Sequence, residues 1–153
     1  MPGGPFPTPA AAEEAFYDAI ERRDLAVLAE VWARCDEVVC VHPGVDRLEG
    51  RAAVLESFRR MFAGDARLAF EIVDVTVAGT DALAVHHARE RIRVEGRLAG
   101  VMAATNVYVV EGGGWRMLVH HASHEGGSPL EAEGDGPDEE APGAGPPPGR
   151  TLH

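Results

Sequence analysis

The chain of 153 residues contains no lysine; its fourteen basic residues are all arginine. They are scattered through every segment, which reads as a bias of composition and not as a binding device. Positive charge is scarce as well. Twenty-five acids give a formal net charge of −11, and residues 125–153 hold seven acids against one arginine. Neither part of the chain offers a basic surface, so nucleic acid is not an expected partner. No apolar run approaches the roughly 20 residues that cross a bilayer, and no membrane partner is expected. The opening Met1-Pro2-Gly3-Gly4-Pro5-Phe6-Pro7 lacks the charge and the apolar run of a secretory leader. A cytoplasmic setting is the expectation. Cysteine is limited to Cys35 and Cys40, whose spacing fits neither a redox pair nor a zinc knuckle. Both are read as reduced and structural.

What is present is one domain long enough to bury its own core. Thr8-Pro9 predicts a helix cap and first turn, and helix one is expected from Pro9 to Arg23 with Ala12, Phe16, Ala19 and Ile20 inward. Asp24 caps a second helix with Leu25, Leu28, Val31 and Trp32 on one side. A third runs from Arg51 to about Phe62, with Val54, Leu55, Phe58 and Met61 inward. Residues 67–78, 81–95, 98–111 and 115–124 then read as four long strands joined by Gly-containing turns, an antiparallel meander. Helices followed by strands predict an α+β domain. The last strand, Trp115 to Ser123, is largely apolar on both faces, so a second cover is needed and a homodimer through the outer sheet face is expected. From Glu125 onward Gly, Pro and acids dominate, and a disordered tail over 125–153 is expected.

The stretch Val38-Val39-Cys40-Val41-His42-Pro43-Gly44 is a short apolar strand that meets a turn at a histidine. His42 there is either a pocket-lining group or a ring satisfied by a nearby carbonyl. Seven histidines, including His86-His87 and His120-His121-x-x-His124, raise the question of a metal. On strands, neighbours face opposite sides and residues four apart lie roughly 13 Å apart, so neither doublet chelates and no metal or other cofactor is expected. Arg89, Arg91 and Arg93 share a strand face: an anion stripe, or a solvated face paired with acids such as Glu95. Ser57 and Ser123 lie in no nucleophile elbow.

Arg23-Asp24-Leu25, Trp32, Val41-His42-Pro43-Gly44, Leu48-Glu49-Gly50-Arg51-Ala52-Ala53-Val54, Ala104-Thr105-Asn106-Val107-Tyr108 and Gly114-Trp115-Arg116-Met117 occur in the order and spacing of a known family. Over residues 8–124 the chain resembles the NTF2-like superfamily, most closely its SnoaL-like branch. The resemblance implies a cone: a curved antiparallel sheet wrapped around three N-terminal helices, one deep apolar pocket, and usually a dimer. It does not fix an activity, since the superfamily holds isomerases, cyclases, dehydratases and non-catalytic modules.

Set beside the family's ketosteroid isomerases, His42 stands where the catalytic aspartate precedes the turn proline. Asn106 stands at the oxyanion aspartate, and Phe16 at the oxyanion tyrosine, with Tyr17 about 100° round the helix. The resemblance thus implies His42 as a base and Asn106 as an oxyanion donor in an isomerase, cyclase or dehydratase acting on a carbonyl compound. The leading reading is a binding protein for a small apolar ligand, with Phe16, Trp32, Phe58, Tyr108, Trp115 and His121 around the pocket, and the enzyme is the alternative to it. A dimerising structural module is the third.

Overall fold

Thr8 and Pro9 start the first helix. The Thr8 hydroxyl accepts from the Ala11 amide at 3.0 Å, and Pro9 fills a first-turn position where no amide hydrogen is needed. Helix α1 (Pro9–Arg22) stops where Arg23 turns left-handed at φ 58°. Asp24 at once caps α2 (Leu25–Val31), accepting from the Val27 amide at 3.1 Å. The structure is a computed structural model that describes residues 5–126. The acidic Gly/Pro tail therefore lies, from residue 127 onward, outside the described residues.

Beyond α2 come β1 (Val39–Val41), β2 (Leu48–Glu49), α3 (Arg51–Ala63), β3 (Leu68–Gly79), β4 (Leu83–Val94), β5 (Arg97–Glu111) and β6 (Gly114–His124). They form one six-stranded sheet in the order β2-β1-β6-β5-β4-β3. The α+β class and the β3–β6 antiparallel meander are as the sequence predicts. Two features differ. The sheet is mixed, not wholly antiparallel, because β1 pairs with β6 in parallel, Val41 opposite His121. Leu48–Glu49, not among the expected strands, forms a two-residue strand on β1. Neither has a local signature: the β6 partner is some eighty residues away, and two residues are too few for an alternation.

Register shifts interrupt β3 against β4, β4 against β5, and β5 against β6. Such irregularities bend strands, and the sheet curves around the helices. The β3–β4 turn needs glycine at Gly79, where φ is 152° and a Cβ would lie 2.2 Å from the Leu83 carbonyl oxygen. In the core, the Phe16 ring meets Trp32 and Phe58 edge-on at 6.2 and 6.0 Å.

Arg51 ties α2 to α3. Its Nη2 donates to the Ala29 carbonyl at 2.7 Å, and its Nη1 to Trp32 and Ala33 at 2.8 and 3.2 Å. These carbonyls are at the end of α2, where intrahelical donors run out and the dipole favours a cation. Arg51→Ala should lower stability by about 2–3 kcal/mol in urea unfolding, and Arg51→Lys should recover only part. A loss below about 0.5 kcal/mol would mean that water serves these carbonyls equally well.

Candidate functional site

Two periodicities aim side chains at the space between α1 and the sheet. On α1, Glu13, Phe16, Tyr17 and Ile20 recur at helical spacing and are all buried. On the strands, alternation buries Ala84, His86, Ala88 and Glu90 of β4, Met102, Ala104, Asn106 and Tyr108 of β5, and His120 and Ala122 of β6. The same alternation splits each histidine doublet: His86 and His120 are buried, His87 and His121 exposed.

Asn106 joins these elements. Its Nδ2 donates to Glu13 Oε2 at 3.0 Å and to the Tyr17 hydroxyl at 3.1 Å. Tyr108 donates to the same Glu13 oxygen at 3.1 Å, and His86 Nδ1 lies 3.0 Å from Glu13 Oε1. Tyr17 in turn donates to Glu90 Oε2 at 2.6 Å. With its amino group so engaged, Asn106 presents Oδ1 to His120 Nδ1 at 2.6 Å, so that nitrogen carries the hydrogen. The neutral ring keeps Nε2 as an acceptor, 3.9 Å from Glu90 Oε2.

Against this network lies a cavity of about 300 Å³. Ile20, Phe58, Met61, Leu68, Phe70 and Ile92 form its apolar wall; Tyr17, His42, Glu90 and His120 bring the polar atoms. His42 follows β1 directly, with its ring edge-on to Phe58 at 5.0 Å. The Ser57 hydroxyl donates to the Val54 carbonyl at 2.8 Å and has no second hydrogen, so it accepts from His42 Nε2 at 3.0 Å. In the neutral ring Nδ1 is then the basic nitrogen.

Burial drives each titratable wall group toward its neutral form. It raises the Glu90 carboxyl to about 7, with the Tyr17 hydrogen bond opposing and the Glu13 charge assisting. It lowers His42, and it lowers His120 to about 3, with His42 and His121 assisting. Burial also raises the Tyr17 hydroxyl, and it raises the Cys40 thiol to about 12. His120 and Glu90 are close enough to be counted as an ion pair. Desolvation keeps the imidazole neutral and holds the carboxyl protonated up to about pH 7, so the contact is not an ion pair.

Of the residues singled out in the sequence, His42 and Phe58 line this cavity. Phe16, Trp32 and Tyr108 are fully buried core, and Trp115 packs on the core's edge. His121 is exposed and His120 takes the inward position, a matter of strand parity. Asn106 sits behind Tyr17 and His120, not across from His42, and both its amino hydrogens are engaged, so it has no donor for a ligand oxyanion. Tyr17, set aside as lying round the helix, is at the cavity wall. Glu13 and Glu90 were missed, and His86 was weighed only as a metal ligand. Glu13 sits at helical spacing from Phe16, Tyr17 and Ile20, and Glu90 at strand spacing from His86 and Ala88. The arginines near Glu90 lie on the solvated face: Arg89 pairs with Asp74 and Glu125, and Arg91 with Glu71. Glu95, the acid expected to serve them, accepts instead from the Arg67 amide. Among the described residues, no three His, Cys, Asp or Glu side chains gather into a metal site.

A family model described as a SnoaL-like domain matches residues 10–125. The fold is similar to a protein from Thiobacillus denitrificans described as a candidate calcium/calmodulin-dependent protein kinase type II association domain. Identity is 42% and the TM-score 0.70, over 82% of this chain and 99% of that one. It is also similar to a candidate dehydratase of the NTF2-like family from Streptomyces avermitilis, at 35% identity and TM-score 0.70, over 76% and 92% of the two chains. Among curated proteins, the F-box protein SKIP8 of Arabidopsis thaliana is 27% identical over 108 residues, which are 71% of this chain. The match spans 46% of that plant protein, about half its length.

The Glu90 shift has a stability consequence of fixed sign. Between 4.5, the ordinary value, and about 7, the folded chain retains a proton that the unfolded chain has lost, so this group's contribution falls as pH rises through that window. Glu90→Gln removes the fall. Relative to wild type, the variant should match at pH 4 and gain on the order of 3 kcal/mol by pH 8, as read by denaturant unfolding. An offset independent of pH would show that Glu90 ionises as freely folded as unfolded.

Proposed function

The chain belongs to the SnoaL-like domain family, and we propose that its cavity binds a small, mostly apolar molecule. The observation carrying this reading is the cavity of about 300 Å³, with an aromatic and aliphatic wall and a few convergent polar groups on one side. Binding sites for small molecules have that composition and that size.

A second reading is a proton-transfer enzyme of the isomerase, cyclase or dehydratase kind. What favours it is a carboxyl near 7 and a neutral imidazole, from Glu90 and His42, on the wall of one apolar cavity. His42 keeps its role as candidate base; Glu90 replaces Asn106 as the second polar group, lining the same cavity. The dehydratase description of the Streptomyces avermitilis relative supports the reading at the level of reaction class.

The expected homodimer belongs here too, and with it the structural-module reading. Val85, Val107 and Val119 stand in register across the outer face of β4, β5 and β6, half-buried in the single chain. The association-domain description of the Thiobacillus denitrificans relative supports self-assembly. A cytoplasmic setting is compatible with the unpaired Cys35 and Cys40. Among the described residues, no helix is long and apolar enough to cross a membrane.

Two experiments test these readings. Titrating tetralin, a bicyclic hydrocarbon, into methyl-labelled protein should shift Ile20, Met61, Leu68 and Ile92 together and leave Val75 and Val77 in place. Leu68→Trp, which fills the cavity, should abolish those shifts; persistence in the variant would place the hydrocarbon elsewhere and sink the binding reading. Light scattering at micromolar concentration should give twice the chain mass, and Val107→Arg should halve it. A monomeric wild type would remove both the dimer and the structural-module reading.

A further inference from the structure

The polar side of the cavity has a definite hydrogen-bond inventory. Three donors that could have faced a ligand are committed within the protein: Tyr17 to Glu90, His120 Nδ1 to Asn106, and His42 Nε2 to Ser57. What remains is acceptor capacity on the two neutral imidazoles, and the Glu90 carboxyl, which donates one hydrogen whenever it is protonated. His120 Nε2 and Glu90 Oε2 are 3.9 Å apart, too far to bond each other and close enough for one oxygen to touch both groups.

Resting on the binding reading above, we propose that the cavity selects a neutral, apolar alcohol, whose hydroxyl accepts from the protonated Glu90 carboxyl and donates to His120 Nε2. A hydroxyl carries one donor and an acceptor, which matches the two roles that Glu90 and His120 Nε2 bring within reach of one oxygen. A carbonyl would satisfy Glu90 and leave the imidazole nitrogen bare against an apolar wall, which costs a buried acceptor. An ammonium group would have to stay charged where the wall groups go neutral; His120 itself refuses a proton beside Glu90. A carboxylate or phosphate would meet no cation, since among the described residues no arginine lines the cavity.

Glu90 is faced from α1 by Tyr17 and Glu13, from the β1 side by Cys40 and His42, and from β6 by His120. Its strand neighbours are apolar, Ile72 on β3 and Met102 on β5. Of these, Cys40 and Tyr17 titrate well above neutrality and His120 well below it. His42 is shifted down by burial, and Glu90, raised to about 7, ionises within the neutral range. Alcohol binding should therefore be flat at acid pH and weaken as Glu90 ionises.

The test uses four ligands on one skeleton: tetralin, β-tetralol, β-tetralone and β-aminotetralin, titrated into the full chain by calorimetry from pH 5.5 to 8.5. The alcohol should bind about tenfold tighter than the hydrocarbon, with the ketone between them and the amine weakest. Above pH 7 the alcohol's affinity should fall by up to ~10-fold per unit, while that of tetralin stays constant. Glu90→Gln keeps a neutral donor and should bind the alcohol without pH dependence; His120→Phe should reduce the alcohol to the level of the ketone. Equal affinities for all four would overturn the hydroxyl selection and leave the cavity reading intact. So would an amine that binds best with affinity rising above pH 7, or a Glu90→Gln variant that keeps the wild-type pH profile. Failure of every member to bind would overturn the cavity reading and this proposal with it.

Discussion

The amide of Asn106 is the point on which the interior turns. It sits at 0% exposure and engages both faces of its side chain, donating to two residues of α1 and accepting from β6. An unmet donor or acceptor there would cost about 1–3 kcal/mol, so the group fixes its neighbours as firmly as they fix it. Because Glu13 and Tyr17 take the amino hydrogens, the carbonyl must face His120, and the tautomer of that ring follows. The tautomer leaves the nitrogen nearer Glu90, Nε2, without a hydrogen. One amide thus sets the protonation pattern of a cavity wall that it does not itself line.

The second constraint is desolvation. Every titratable wall group with a shift is moved toward neutrality, carboxyl and hydroxyl upward and imidazole downward. The consequence is a polar surface without formal charge beside an aromatic wall, suited to neutral molecules with few polar atoms. Glu90, raised to about 7, changes its state across neutral pH, so its charge depends on what occupies the cavity.

Much of this was legible in the chain. Thr8, Asp24 and the Gly-containing turns marked the helices and the meander, because caps and turns have local chemistry. His42 was conspicuous at the end of an apolar strand, and it does line the cavity. Glu90 was hidden inside Arg89-Glu90-Arg91, which looks like a solvated run until strand parity is followed from His86 and Ala88. Tyr17 was set aside for being 100° from Phe16, yet both are buried. The sheet covers one side of α1 while Trp32 and Phe58 cover another, so its buried arc is wider than a single stripe. The choice between His120 and His121 depended on the register shift at Val107/Tyr108, and the β1–β6 pairing on residues far apart in the chain. Local pattern carries neither.

That parallel pairing bears on how the chain acquires its cavity. Cys40 lies beside His120 in register, and the wall needs His42 from one end of the domain and His120 from the other. A ribosome that has delivered α1 to β4 has delivered His42 and Glu90 but not the strand that closes them together. Contacts so distant in sequence must wait for the chain between them, and closing that loop is a slow, entropically opposed step. The meander is made of neighbouring hairpins and has no such delay. By that argument the β1–β6 pairing comes after the hairpins, and the complete burial of Cys40 belongs to the closed sheet.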